Sequence, residues 1–249
     1  MVARFLACNT GAITADDLIP SPAAAPGPDL VSAATVILVR DGSTGLEVLL
    51  LRRDTSLAFA AGAWVFPGGR VDGADLDAAG GVLERAEELA AVRECQEEAG
   101  LALAHTSLVR WSHWTPPDQQ QRRRFSTAFF VVAAPDGDVV IDDGEIRAHQ
   151  WVAPTDAISA HGVGDLPLSP PTYITLVQLG AHRDVASLLT HATSAEPEHF
   201  STHIVMDGSD VLAVYHGDVA YDSGDASAEG PQHRLIMRDG PWTYRRDPA

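Results

Sequence analysis

Ala33–Arg40 (AATVILVR) and Leu46–Arg53 (LEVLLLRR) are almost unbroken apolar runs separated by DGSTG. That pattern predicts two strands buried on both faces and joined as a hairpin. Ala60–Arg70 (AAGAWVFPGGR) predicts a short strand running into a Pro-Gly-Gly turn, whose glycines bring the backbone close to whatever binds there. Residues 71–82 (VDGADLDAAGGV) show no periodicity and read as a loop. From Leu83 to Ala99 the pattern turns helical, rich in alanine, glutamate and leucine, with Gly100 placed as a C-cap. Leu108–Trp114 predicts a strand broken by Thr115-Pro116-Pro117, and Phe125–Ala133 (FSTAFFVVA) the strongest strand of the chain. Val139–Ile141 and Glu145–Val152 read as further strands across an acidic turn, followed by a short helix over Pro154–Ala160.

The character then changes. Residues 165–195 predict two helices, the first entered through prolines. Residues 202–246 return to strands (HIVM, VLAVYHG, HRLIM, WTYRR) separated by DGSD and DG turns. Residues 1–30 end in PSPAAAPGPDL and predict a flexible tail. An early hairpin, one marked helix and later strands predict an α/β sandwich, and no G-x-G-x-x-G follows a strand to support a doubly wound parallel sheet.

The helix carries the chemistry. Glu94, Glu97 and Glu98 stand at i, i+3 and i+4 and so share one face. Like charges at that spacing cost a helix a few tenths of a kcal/mol per pair, a sign that a hard divalent cation reverses by taking their oxygens as ligands. Arg93, four residues before Glu97, can pin that carboxylate. Three acids alone are more often a solvated face; the flanking residues decide otherwise.

Arg93-Glu94-Cys95-Gln96-Glu97-Glu98-Ala99-Gly100-Leu101, preceded by Phe66-Pro67-Gly68-Gly69, resembles the signature of the Nudix hydrolases. That signature runs glycine, five residues, glutamate, seven residues, then Arg-Glu-apolar-x-Glu-Glu-x-Gly-apolar, and its second half matches at every fixed position. The first half departs from it. Arg93 follows Gly69 by 24 positions where the signature has 14, and the internal glutamate would fall at Arg85, beside Glu84. Residues 71–82 are therefore read as an inserted loop, with Glu84, Glu87 or Glu88 as the acid that pairs with Arg93.

The resemblance covers roughly residues 30–160 and implies a Nudix-type α/β/α sandwich with a mixed sheet. It divides the chain into a tail (1–30), a hydrolase domain (31–160) and a helical and β C-terminal extension (161–249) that caps the fold or builds a homodimer. It further implies a Mg2+- or Mn2+-dependent diphosphatase acting on a nucleoside diphosphate linked to another moiety. Glu94, Glu97 and Glu98 are then metal ligands, with a backbone carbonyl of Gly68 or Gly69. Arg93 and Glu94 belong to the catalytic box, and the general base is a box glutamate or, from a later loop, Glu145.

Coenzyme A or an acyl derivative is the first substrate expectation, because RRFSTAFF, the Glu145–Trp151 strand and PLSPPT resemble a branch that includes peroxisomal coenzyme A diphosphatase-like proteins. Part of that pattern is present (Leu49, Arg53, Gly62, Phe66), but its threonine and second arginine fall at Leu50 and Ala58. ADP-ribose or a nucleoside diphosphate sugar is the alternative, suggested by Pro116 and Pro117 past the box. A nucleotide-binding module without catalysis is a third reading, opposed by the intact acids.

Charge and composition narrow the rest. A formal charge of −17 argues against binding nucleic acid or an anionic membrane. No lysine occurs, which excludes Schiff-base chemistry and a Walker-type phosphate lysine. Against so acidic a chain, Arg52, Arg53, Arg122, Arg123 and Arg124 stand out as phosphate-binding candidates, with Arg53, Arg124 and the Gly69 backbone preferred. Trp114 could stack on a base, though burial at a strand end is the commoner fate. His199 and His203 have ligand-like spacing but no helix to align them. The two cysteines, Cys95 on the helix and Cys8 in the tail, make no disulfide framework and fit a cytoplasmic protein. No run approaches the ~18 apolar residues of a membrane span, and the start makes a poor secretion signal.

Overall fold

The computed structural model describes residues 30–55, 62–118, 124–141, 144–238 and 240–248. The tail over 1–29 lies outside them, as do Ala58, Arg122, Arg123, Asp142 and Asp143.

An eight-stranded mixed sheet organises the chain. The hairpin forms where the apolar runs place it, as β1 (Leu30–Asp41) and β2 (Leu46–Arg53), antiparallel with Val39 opposite Val48. β6 (Arg124–Ala133) lies parallel to β1 over ten residue pairs and antiparallel to β5 (Val109–Thr115). β3 (Trp64–Val65) and β7 (Ile146–Val152) pair with β2. Gly68–Arg70, expected as a turn, is a strand, β4, that pairs antiparallel with Ala33–Thr35. Small residues allow it: a Cβ on Gly68 would stand 2.5 Å from the Ala34 carbonyl oxygen.

β1 shows why its run is almost wholly apolar. Ala34, Val36 and Leu38 face one core, while Ile37 and Val39 face another. This is the two-residue period of a strand covered on both sides. On the first face lies the long helix α2 (Leu83–Ala99), which docks through Ala90, Ala91, Cys95 and Ala99. Alanine gives it a close approach to the sheet and a high helix propensity, and Gly100 closes it at φ 70°, donating its N–H to the Gln96 carbonyl. On the second face lie α3 (Pro154–Gly162), α4 (Pro170–Leu179) and α5 (Val185–Ser194). The result is the α/β/α sandwich with a mixed sheet.

Residues 71–82 are not a loop throughout. Gly73–Ala78 forms α1, held by a capping box in which Asp72 accepts from the Asp75 N–H and Asp75 accepts from the Asp72 N–H. Val139–Ile141, expected as a strand, joins no sheet; Val140 donates only to the Ala99 carbonyl. β8 (Glu198–Ser201), unforeseen, extends the large sheet parallel to β5 and stacks Phe200 on Trp114 with ring centroids 3.9 Å apart. Strands β9 (His203–Asp207), β10 (Asp210–Val214), β11 (His233–Met237) and β12 (Thr243–Arg246) form a second antiparallel sheet, with α6 (Ala220–Ser223) between β10 and β11. One face of that sheet (Val211, Ala213, Leu235, Met237) joins the same core as α4 and α5. Among the described residues no helix is long and apolar enough to cross a membrane.

Candidate active site

The three glutamates of α2 occupy unlike environments. Glu98 is 6% exposed. Its Oε2 accepts the Gly68 N–H at 2.9 Å and its Oε1 lies 3.6 Å from Arg53. Burial pushes its carboxyl up to about 7 against the opposing pull of the Gly68 amide and Arg53. Glu94 is also raised by burial, with Arg93 acting the other way. Its carboxyl fills the space a side chain on Gly69 would need. Glu97 points outward, its side chain 59% exposed, and meets Arg93 at 3.2 Å.

Arg93 organises the group. Its guanidinium donates to Glu94 (2.8 Å), Glu97 (3.2 Å), the Arg70 carbonyl (3.0 Å) and, through Nε and NH2, both carboxyl oxygens of Asp75 (3.3 and 2.9 Å). The acid that pairs with Arg93 is thus Asp75, not Glu84, Glu87 or Glu88. Glu87 is committed to Arg110 at 2.5 Å. Within the ten-residue excess, α1 presents the buried carboxylate of Asp75 to Arg93. The D-x-x-D capping pair, Asp72 and Asp75, was the signal available in the sequence. Asp75→Asn leaves the capping geometry in place but removes the charge opposing Arg93. Because Arg93 is partly exposed, a loss of about 1–3 kcal/mol is expected in chemical denaturation, below the range for fully buried pairs.

The acids open onto a cavity of about 540 Å³ lined at this end by Arg53, Glu94, Glu98, Glu145 and the backbone of Gly68 and Gly69. Arg53 also donates to Glu145 at 3.1 Å, so it bridges the helix and the start of β7. Its buried Nε has no hydrogen-bond partner among the described residues. Arg124, by contrast, does not line the cavity; it donates to Asp118 at 2.5 Å and to the Pro116 carbonyl at 3.2 Å. Its position at the start of β6, beside the proline break, keeps it there. Trp114 lines the cavity with one face covered by Phe200. His199 stacks on His113 and His203 on Tyr221, so the two do not meet at one point.

The donor set suits a hard divalent cation: carboxylate oxygens on one helix face, beside a glycine backbone that no side chain shields. Among the described residues no three such groups converge on a single point. The geometry shows why: Arg93 draws Glu94 and Glu97 to itself, while the Gly68 amide and Arg53 hold Glu98.

The family model of the NUDIX domain matches residues 29–170, more than half of the chain. A NUDIX hydrolase from Alicyclobacillus acidocaldarius has a similar solved structure, with a TM-score of 0.60 and 24% identity over 65% of this chain and 96% of that one. A MutT NUDIX hydrolase from Burkholderia pseudomallei is 26% identical over 61% of this chain and 99% of that one, with a TM-score of 0.46. The NUDIX domain of Shewanella oneidensis NrtR, solved as a complex with ADP ribose, is 16% identical over 61% of this chain and 86% of that one, with a TM-score of 0.47. No curated protein matches the chain in sequence.

Proposed function

Because this chain belongs to the NUDIX family and is a hydrolase of phosphorus anhydride bonds, we propose that it cleaves the diphosphate joining a nucleoside to a second group. The observation that carries this is the arrangement of Glu94, Glu98, Arg53 and Glu145 around one cavity end, on a helix whose acids are oriented by Arg93. In the reaction a water oxygen forms a new bond to phosphorus, the anhydride P–O bond breaks, and the departing phosphate keeps that electron pair. The proton lost by water goes to a carboxylate. Glu145 is our choice for it, since it faces the cavity and its charge reaches both Glu94 and Glu98.

NUDIX hydrolases generally need divalent cations. Glu94, Glu97 and Glu98, with the Gly68 backbone, would hold Mg2+ or Mn2+, which would neutralise the diphosphate and lower the pKa of bound water. Arg53, which lines the cavity beside Glu98, is placed to take a diphosphate oxygen through its guanidinium. The Gly69 backbone lets that group approach the helix. Arg93 positions Glu94 and Glu97 from behind, and Asp75 positions Arg93.

Residues 31–160 form the hydrolase domain in this reading, and 161–249 an extension packed on it. Coenzyme A or an acyl derivative, and ADP-ribose or a nucleoside diphosphate sugar, are the two substrate proposals. Cys95, its thiol pushed up to about 12 by burial, fits a cytoplasmic setting in which thiols stay reduced.

The test is a panel of both diphosphate types incubated with Mg2+ or Mn2+, with release of phosphomonoester products read by chromatography and Glu97→Gln as control. Turnover that the control loses supports the proposal; binding without turnover of any member would assign the chain to a non-catalytic module. A second variant probes the helix–strand contact. Gly69→Ala drives a Cβ into the Glu94 carboxyl, so activity should fall about 10-fold or more, as when groups that orient ligands are disturbed.

A further inference from the structure

β4 is a strip with two faces. Gly69 lies against the Glu94 carboxyl, on the side of the sheet that α2 covers. Alternation along a strand turns the next residue, Arg70, to the opposite side, and Arg70 lines the cavity there. Arg93 donates to the Arg70 carbonyl at 3.0 Å. The arginine that orders the acids of α2 therefore also fixes where the Arg70 arm begins.

Strand register places the neighbours of that arm. Arg70 pairs with Ala33, Ala33 with Thr127, and Thr127 with Trp114, in one row across β4, β1, β6 and β5. All four line the cavity. Adjacent strands lie about 4.8 Å apart, so Arg70 and Thr127 are rooted about 10 Å from each other with the small Ala33 side chain between them. Thr35, the next cavity-lining residue of β1, brings a second hydroxyl beside Ala33. A guanidinium reaching over a methyl group, with two hydroxyls across from it, suits a tetrahedral oxyanion. The arginine supplies charge-assisted hydrogen bonds and the threonines neutral ones. A phosphate monoester offers three acceptor oxygens and carries about two negative charges at neutral pH. Among the described residues Arg70 forms no ion pair, whereas Arg53 and Arg93 are both held by carboxylates.

The scissile diphosphate belongs with the acids and Arg53, across the strip from this row. Resting on the diphosphatase reading, we propose that Arg70, with Thr35 and Thr127, forms a subsite for a phosphate monoester carried elsewhere on the substrate. Arg70 is then a specificity-determining residue, favouring a nucleotide whose sugar bears an extra phosphate over the same compound without it.

The experiment uses two pairs of compounds, each differing by a single phosphate monoester. These are coenzyme A with 3′-dephosphocoenzyme A, and 2′-phospho-ADP-ribose with ADP-ribose. Values of kcat/KM are measured with Mg2+ on the full chain, and affinities by calorimetry on the same protein. In one pair the phosphorylated member should be favoured about 10-fold, mainly through KM; which pair it is separates a 3′- from a 2′-phosphate. Arg70→Met should bring that ratio close to one, Arg70→Lys should keep part of it, and Thr127→Val should lower it about threefold. Arg70 is exposed and joins the sheet through its backbone, so its variants should melt with the parent. A preference in neither pair, or one that survives Arg70→Met, overturns the proposal. An equal fall for both members of a pair would assign Arg70 to the diphosphate and overturns it too. If nothing is hydrolysed but calorimetry shows the same preference, abolished in Arg70→Met, the diphosphatase reading fails and the subsite stands. If calorimetry detects no discrimination within either pair, the subsite itself is refuted.

Discussion

Glu98→Gln is expected to lower kcat/KM by at least 100-fold while leaving the fold as stable as before or more so. The two halves have separate causes. Groups that merely orient metal ligands are worth 10- to 100-fold, and Glu98 is a proposed ligand, so removing its charge should reach or exceed that range. Stability moves the other way because the buried Glu98 carboxyl is pushed up to about 7. A carboxyl raised in the folded state binds its proton more tightly there than in the unfolded chain. Stability therefore falls as pH rises from the unfolded value near 4.3 through the folded one. Glutamine has no proton to lose and still accepts the Gly68 N–H through its carbonyl oxygen. In metal-free buffer at neutral pH the variant should melt at the same temperature or higher. Added Mg2+ or Mn2+ should raise the melting temperature of the parent and not that of the variant, since an ion bound only by the folded state stabilises it by mass action. Full activity in Glu98→Gln would remove this residue from the site.

Arg234→Ala is expected to cost about 3–5 kcal/mol, the usual penalty for leaving a buried charge without its partner. Arg234 donates to both oxygens of Asp218 at 2.7 and 2.6 Å, and the two side chains are 4% and 0% exposed. Asp218 also accepts the backbone N–H groups of Ala220 and His233, so it ties β11 to α6. Burial works to raise its carboxyl, but the Arg234 hydrogen bonds and those two amides together hold it below the ordinary carboxylate value. A depressed carboxyl contributes stability that is present above its unfolded pKa, about 3.9, and lost as pH falls through the folded value. Guanidinium denaturation at neutral pH should show the full loss, and the gap between parent and variant should narrow in acid. The double variant Asp218→Asn/Arg234→Met should be less destabilised than Arg234→Ala alone, because it leaves no orphaned charge.

What the sequence could reveal followed from how regular each signal was. The α2 acids were legible because a 17-residue helix holds their spacing over several turns and because Arg93, Gly100 and the Pro67-Gly68-Gly69 turn flank them in the pattern of a known signature. The β1–β2 hairpin was legible because strands covered on both faces are apolar at nearly every position. Asp75 was hidden by its surroundings: six residues of helix among glycines and alanines look like loop until the capping pair is noticed. β8 was hidden by brevity, since four residues reading Glu-His-Phe-Ser show no alternation, and their pairing with Ser112–Thr115 is fixed by the distant strand. Arg124 was chosen for its charge alone, and charge does not say which neighbour will claim it; Asp118 and a proline carbonyl did. The cavity wall drawn from Thr202 and Ala213 depends on how the second sheet packs, which no local pattern encodes.

The pairing of β8 along β5 closes part of a sheet border that would otherwise stay open. Without it, β5 would offer a row of unsatisfied amides and carbonyls to any other extended polypeptide. A four-residue strand covers that row along Ser112–Thr115 and is itself too short to template much further pairing. Truncation after residue 170, the limit of the matched family domain, would uncover the β5 border together with the indole that Phe200 shields. The shortened chain should precipitate or form fibrils during expression while the full-length chain stays dispersed.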